Sequence, residues 1–323
     1  MKPLELTKIL KNHKVYVQTH NYPDPDAIAS AFGLQYFLKQ HGIDTIICYD
    51  GKIEKLSTKK MFDVFGIRVL PIGEIRDMQE EDYIVVVDAQ KFNANITDFV
   101  GDEIACIDHH PTYYACDYQY KDIRDVGACA SIIASYFKET DTPISPEAAA
   151  ALAYGIKMDT ADFTRGATPF DAEMFAYVFE RSNANLILQM YRDVMEFADL
   201  KAYGAAIDNV QIYDRVGFAQ IPFDCPDALV AIISDFILAL DVVTVSVVYA
   251  LRPDGIKFSV RSEVEETDAG DVTKRALAEI GSGGGHKEMA GGFIPTENRS
   301  MLGEDSDFYI RRRFLDAINH PTR

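Results

Sequence analysis

Val15-Tyr-Val-Gln-Thr19-His20-Asn-Tyr-Pro-Asp24-Pro-Asp26 sets an apolar, β-branched run directly against a loop holding one histidine and two acids. The run reads as a buried strand, the Pro/Asp stretch as the loop that ends it, and Ala27 to Gln40 as the helix that follows. The pattern returns downstream. Thr45–Tyr49, Tyr83–Val87 and Ile104–Ile107 are short apolar runs separated by amphipathic stretches. Pro146 opens an Ala-rich helix reaching to Ile156, with proline in its favoured first turn. Strands alternating with helices predict an α/β fold built on a parallel N-terminal sheet.

A chain of 323 residues is expected to form about two domains. The stretch from Asn185 to Ala206 reads as a partly charged helical connector, which divides the chain into 1–190, 191–206 and 207–323. Beyond it, Val242–Leu251 is β-branched and apolar, and Pro253-Asp254-Gly255 is a turn. Ile256–Arg261 alternates faces as an antiparallel return strand. The expectation is a smaller α/β domain with a helix from Asp271 to Ile280.

Composition excludes several classes. Hydrophobic residues make up 48% and charged residues 25% of the chain, a globular profile. No run of about eighteen apolar residues exists to span a membrane. The start, MKPLELTKILKNHK, has no continuous apolar core or small-residue cleavage site. Cys48, Cys106, Cys116, Cys129 and Cys225 include no C-x-x-C pair, so reduced thiols in a cytoplasmic protein are expected. With 50 acidic against 32 basic residues, the net charge of −18 opposes binding of long nucleic acid. The one dense basic stretch, Lys52 to Lys60, reads as a solvated face.

Four motifs carry chemistry, each where a strand or helix runs out: His20 with Asp24 and Asp26, then Asp88, then Asp108-His109-His110, then Asp159-Thr160. Singly, Asp24 and Asp26 could form turns, and Asp88 or Asp159 could cap a helix. Together, carboxylates converging at the carboxyl ends of strands would repel one another unless cations held them. Carboxylates with a minority of imidazole suit Mn2+, Mg2+, Co2+ or Fe2+ better than a sulfur-rich zinc site would. Gly281-Ser-Gly-Gly-Gly285-His286 is expected as a loop whose backbone N–H groups could cradle an anion, and Arg261 as a phosphate ligand.

These motifs resemble the DHH phosphoesterase superfamily, in its branch carrying a DHHA1 domain, over residues 15 to 295. Asp108-His109-His110 corresponds to the eponymous motif, His20/Asp24/Asp26 to the opening motif, and Gly283-Gly284-Gly285-His286 to the DHHA1 glycine loop. The resemblance implies an active site in the cleft between the domains, holding two divalent cations, most often manganese. His20, Asp24 and Asp88 would hold one ion. Asp26, Asp88, His109 and Asp159 would hold the other, with Asp88 bridging. Asp108 would orient an imidazole, and His110 would face the substrate and assist proton transfer. Arg261 with Gly283, Gly284, Gly285 and His286 would grip the far phosphate or terminal nucleotide. The chain departs from the family at Met289-Ala290, where two alanines are common. It departs again at Phe163-Thr164-Arg165, which leaves the place of Arg165 open.

The expected enzyme hydrolyses small phosphorylated nucleotides or very short oligonucleotides, in the manner of nanoRNase/3′-phosphoadenosine-5′-phosphate phosphatases. Cyclic or linear diadenylate is the nearest alternative substrate. RecJ-type exonuclease, inorganic pyrophosphatase and non-enzymatic nucleotide sensor rank behind it. Self-association into a homodimer is left open.

Overall fold

The computed structural model describes residues 2–53, 56–192, 195 and 197–320. Lys55 of the basic stretch, and Asp193, Val194 and Glu196 of the expected connector, lie outside the described residues. The chain divides into two compact units, Met1–Val194 and Met195–Arg323.

The first unit runs α1 (Pro3–Leu10), β1 (Val15–Gln18), α2 (Pro25–Gln40), β2 (Thr45–Tyr49), α3 (Leu56–Phe65), β3 (Leu70–Pro71), β4 (Tyr83–Val87), β5 (Asp102–Asp108), β6 (Tyr120–Ile123), α4 (Cys129–Thr140), α5 (Pro146–Asp159), α6 (Pro169–Arg181) and α7 (Ala184–Met190). Its sheet has the order β3-β2-β1-β4-β5-β6 and is parallel throughout. Val15 stands level with Thr45 on one side and Tyr83 on the other. The order of succession reverses between β1 and β4. In open α/β sheets, ligands bind at the carboxyl ends of the strands that flank such a reversal.

The two faces of this sheet are covered differently. Val15, Val17, Val85, Val87 and Ile107 pack with the helices, α2, α4 and α5 among them, in the main core. Tyr16, Cys48, Ile84 and Val86 face the other way, against Ile72, Ile75, Met78, Ile96 and Phe99 of irregular segments. Both faces are buried, which explains why the strands read as continuous apolar runs. Small residues let α2 and α5 approach closely. A Cβ on Gly155 would fall 2.7 Å from the Ala29 Cβ and 3.3 Å from Asp26 Oδ1. Gly155 thus leaves room for the carboxylate that begins α2 beside the residue that ends α5.

The second unit runs α8 (Asp199–Asn209), β7 (Gln211–Tyr213), β8 (Val216–Ile221), α9 (Asp227–Leu238), β9 (Val245–Arg252), β10 (Gly255–Ser262), α10 (Ala269–Ala276), β11 (Ser282–Gly285), β12 (Met289–Pro295) and α11 (Ser306–Asn319). Its sheet has the order β11-β12-β10-β9-β8-β7, and the β8–β9 pair is the parallel one. Val247 and Tyr249 pack in one core with residues of α10 and α11, while Val248 and Ala250 join residues of α8 and α9 in another. The expected hairpin is present, with Gly255 opposite Arg252. The glycine segment corrects the sequence expectation. Ser282–Gly285 is an edge strand paired with β12, Gly283 opposite Gly292 and Gly285 opposite Ala290, rather than a loop. Among the described residues no helix is long and apolar enough to cross a membrane.

Candidate active site

The four motifs of the first unit meet at the carboxyl end of its sheet. Asp24 is the N-cap of α2, and its Oδ1 accepts from the Asp26 and Ala27 amides at 3.0 and 3.1 Å. The capping role and a ligand role are compatible, because a carboxylate has a second oxygen. Asp26 is buried two residues further on. Its carboxylate accepts from the Cys129 and Ala130 amides at the start of α4, at 2.7 and 2.9 Å. Asp88 follows β4 with φ 57, a left-handed conformation that aspartate tolerates better than most residues. Asp159 is the last residue of α5, at the negative end of the helix, where a carboxylate is disfavoured and a cation welcome.

The loops carrying these residues are tied together. The Asn21 amide donates to the Asn95 carbonyl at 2.7 Å, and Asn21 Nδ2 donates to Thr97 Oγ1 at 3.0 Å. Thr97 Oγ1 in turn donates to Asp50 Oδ2 at 2.7 Å, so the loops after β1, β2 and β4 form one piece.

Donor atoms converge in three sets, and Asp88, Asp108, His109 and His110 form the one that overlaps the other two. His20, Asp24 and Asp88 offer atoms within 4.8 Å of one another, and so do Asp26, His109 and Asp159. His20 Nε2 lies 3.7 Å from Asp88 Oδ2. His109 Nε2 lies 3.3 Å from Asp88 Oδ1, 3.3 Å from Asp159 Oδ2 and 4.0 Å from Asp26 Oδ2. His109 Nδ1 stands 3.1 Å from the Val126 carbonyl, which can only accept, so that nitrogen carries the proton. With Nδ1 so occupied, Nε2 faces three carboxylates, and it can meet them through a second proton or turn its lone pair to a cation. Asp88 Oδ1 is buried and has no hydrogen-bonded partner.

Electrostatics give the same reading. Burial, then repulsion from Asp159, pushes Asp26 up to about 8. Burial, then Asp26, raises Asp88 well above the carboxylate range, and burial raises Asp159 as well. Burial disfavours the His109 imidazolium, yet Asp88, Asp26 and Asp159 outweigh it and lift the ring to about 11. The cluster is short of positive charge, and protons fill the gap unless cations do. An orphaned carboxylate oxygen, an imidazole lone pair and a donor set of oxygen with some nitrogen fit hard or borderline divalent ions.

Asp108 and His110 form a pair. Asp108 is fully buried, and its Oδ1 lies 2.8 Å from His110 Nδ1 and also accepts from the His109 amide at 2.8 Å. Asp108 does orient an imidazole, but it is that of His110. His109 Nδ1 meets instead the carbonyl of Val126, three residues before α4 begins. The His110 hydrogen bond raises that imidazole, and it holds Asp108 low against the effect of burial. Arg165 approaches from a turn in which Ala161, Asp162 and Phe163 are all left-handed. Its Nη2 donates to the Asp159 carbonyl at 2.8 Å and lies 3.9 Å from Asp159 Oδ1.

In the second unit Arg261 lies on β10, and His286 opens the turn from β11 to β12, its amide donating to the Met289 carbonyl at 2.7 Å. The three glycines are not equivalent. A Cβ on Gly283 would fall 2.7 Å from Thr273 Cγ2, and one on Gly285 would fall 2.3 Å from the Met289 carbonyl oxygen. A Cβ on Gly284 would meet nothing within 4 Å. Gly283→Ala is therefore expected to lose about 1–3 kcal/mol from overpacking. Gly284→Ala should stay within about 0.5 kcal/mol of wild type. Denaturant melts of the two variants check this, and equal losses would contradict it.

Sequence reading missed Gln90, whose Nε2 donates to Asp108 Oδ2 at 2.7 Å and to the His110 carbonyl at 3.0 Å. It missed the α4 amides that hold Asp26, and the Val126 carbonyl. Backbone groups leave no mark in composition. Gln90 stands two residues after Asp88, a spacing that could have drawn attention to it.

The profile of the DHH family, N-terminal domain, matches residues 14–156, and that of the DHHA1 domain matches residues 214–304. An uncharacterized protein of Methanocaldococcus jannaschii is 30% identical over 98% of this chain, which spans 66% of that protein's length. A Streptococcus mutans protein described as a probable bifunctional oligoribonuclease and PAP phosphatase is 28% identical over 94% of this chain and 95% of its own. A probable manganese-dependent inorganic pyrophosphatase of the same organism is 27% identical over 46% of this chain and 48% of its own length. Among solved structures, an exopolyphosphatase-related protein from Bacteroides fragilis shares the fold, with TM-score 0.71, 19% identity and coverage of 98% of this chain and 95% of its own.

Proposed function

The chain belongs to the DHH family, carrying its N-terminal domain and a DHHA1 domain in series, and from that premise we propose that it hydrolyses small phosphorylated nucleotides or very short oligonucleotides with two divalent cations, Mn2+ foremost. The observation that carries the reading is the convergence of His20, Asp24, Asp26, Asp88, His109 and Asp159 into two sets of donor atoms. The substrate class is supported by likeness along nearly the whole of both chains to the oligoribonuclease and PAP phosphatase, whereas the pyrophosphatase aligns with under half of this one. That pyrophosphatase's description as manganese-dependent supports the choice of ion.

His20, Asp24 and Asp88 would hold one ion, and Asp26, Asp88, His109 and Asp159 the other. When bound, such a pair polarises the phosphoryl group and the attacking water. The protein supplies the remainder. Asp88, with Oδ2 3.7 Å from His20 Nε2 and Oδ1 3.3 Å from His109 Nε2, would serve both sets, and the Cys129 and Ala130 amides hold the Asp26 oxygens in place. His110 donates its Nδ1 proton to Asp108, so Nε2 is the atom that exchanges a proton with the leaving oxygen. The side chain of His110 is 48% exposed, open to substrate in a way that His109, at 11%, is not. Arg261, Gly283, Gly284, Gly285 and His286 would receive the end of the substrate remote from the ions.

The net charge of −18 sets the length preference. Phosphates beyond the field of the ions meet repulsion, strongest at low salt. With Mn2+, kcat/KM is expected to fall steadily from dinucleotide to twenty-mer. The panel should also include 3′-phosphoadenosine-5′-phosphate, cyclic diadenylate and pyrophosphate. Faster cleavage of the twenty-mer would reject the small-substrate reading and favour an exonuclease.

A further inference from the structure

The second unit carries a cleft of about 560 Å3 whose lining includes Arg261, Asp235, Glu263, Glu265, Lys287 and Met289. Arg261 is held from two sides. Its Nε donates to Asp235 Oδ1 at 2.6 Å, and its Nη1 donates to Ser259 Oγ at 3.0 Å and to the Val260 carbonyl at 3.2 Å. Among the described residues, Nη2 has no acceptor. The Arg261 side chain is 15% exposed and that of Asp235 is 59% exposed.

The position of Asp235 is unusual for its helix. It lies in the last turn of α9, where the helix dipole disfavours a carboxylate, and that turn has no basic residue. Local helix energetics therefore do not account for the acid, whereas the contact with Arg261 does. An arginine on a flexible stem loses its rotamer freedom when it grips an anion, and one already fixed has little left to lose.

We infer that Asp235 is a positioning residue, which fixes the Arg261 guanidinium so that Nη2 is presented to a phosphoryl oxygen of the substrate. The inference rests on the reading above that Arg261 meets the substrate. Two other consequences follow. The carboxylates of Asp235, Glu263 and Glu265 keep the cleft from attracting anions in general. Arg261 also engages one oxygen through one nitrogen, without the two-pronged contact that a free guanidinium would make.

The test compares Asp235→Ala, Asp235→Asn, Arg261→Ala and the Asp235→Ala/Arg261→Ala double variant of the full chain with Mn2+. The probe is 3′-phosphoadenosine-5′-phosphate, followed as KM and kcat and as Kd by calorimetry. Bis(p-nitrophenyl) phosphate, which carries no second phosphate, is the control. Asp235→Ala should raise KM and Kd about three- to tenfold while kcat stays within about twofold. Asp235→Asn, whose carbonyl still accepts from Nε, should recover part of the loss. The double variant should behave like Arg261→Ala alone, the control substrate should be unaffected, and the melting temperature of Asp235→Ala should not fall. Tighter binding by Asp235→Ala would overturn the inference, because Asp235 would then be a competitor of the substrate. Additive losses in the double variant would also overturn it. If Arg261→Ala itself leaves KM and Kd unchanged, the reading of Arg261 fails and this inference with it. A normal Arg261→Ala loss with a silent Asp235→Ala removes the inference alone.

Discussion

Asp88→Ala and Asp88→Asn are expected to lower kcat by more than about a thousandfold and to reduce the bound metal. Asp88 belongs to the set with His20 and Asp24, and its Oδ1 is 3.3 Å from His109 Nε2 in the other set. No other carboxylate in the cluster stands in both places. Asparagine tolerates the left-handed backbone at φ 57, so Asp88→Asn separates loss of charge from loss of conformation. Stability supplies a second readout. In chelator, removing one of several crowded, buried carboxylates should leave the melting temperature unchanged or raise it, since burial and Asp26 both oppose the charge on Asp88. The increase in melting temperature that Mn2+ gives the wild type should shrink. Full turnover by a folded Asp88→Asn protein would sink the two-ion assignment.

The second large effect separates adjacent histidines. His110→Ala should lose about a hundred- to ten-thousandfold in kcat with metal content close to wild type. His109→Ala should lose the metal as well. The ground for the distinction is where each Nδ1 goes: that of His110 to Asp108 Oδ1 at 2.8 Å, that of His109 to the Val126 carbonyl at 3.1 Å. His109 Nε2 then faces the carboxylates and His110 Nε2 is left for the substrate. Metal analysis beside single-turnover rates decides the matter. Metal loss from His110→Ala, with retention by His109→Ala, would reverse the two roles.

The strands β1, β2, β4 and β5 were readable from the sequence because each is buried on both faces and so writes a continuous apolar run. The residues at His20, Asp24, Asp26, Asp88 and Asp108–His110 were readable for a different reason: singly each has a structural use such as the N-cap made by Asp24, but their repeated placement where an apolar run ends exceeds what capping and turns need. Less legible were elements whose form depends on distant neighbours. The periodicity from Asn185 to Ala206 runs across a break, and the structure has α7 and α8 on either side of it. The strand expected from Val242 begins instead at Val245, because the Val243 amide closes a turn onto the Leu240 carbonyl at 2.9 Å. The helix expected from Asp271 to Ile280 is displaced toward the N-terminus, starting at Ala269 with Asp268 as its cap and ending at Ala276. The glycines of β11 looked like a flexible loop, and only the proximity of Thr273 and β12 shows why two of them are small. The contact of Asp235 with Arg261 joins a helix to a strand 26 residues away and leaves no local pattern.

The arrangement of the first unit also bears on how the protein is made. The central strands β1 and β4 are neighbours, Val15 against Tyr83, yet β2 and β3 lie between them in the chain. The candidate ligands begin at His20 and end at Asp159, on four segments that adjoin only when the sheet is ordered and α5 is laid across α2. Contacts so distant along the chain form slowly, since a long loop must close before any of them can stabilise it. A nascent chain therefore has nothing with which to assemble the cluster until α5 has left the ribosome. Incomplete chains carry the individual acids and histidines without the pocket. Ion uptake at such a cluster would thus be a late event in biosynthesis, and it would report a finished first unit rather than a partly formed one.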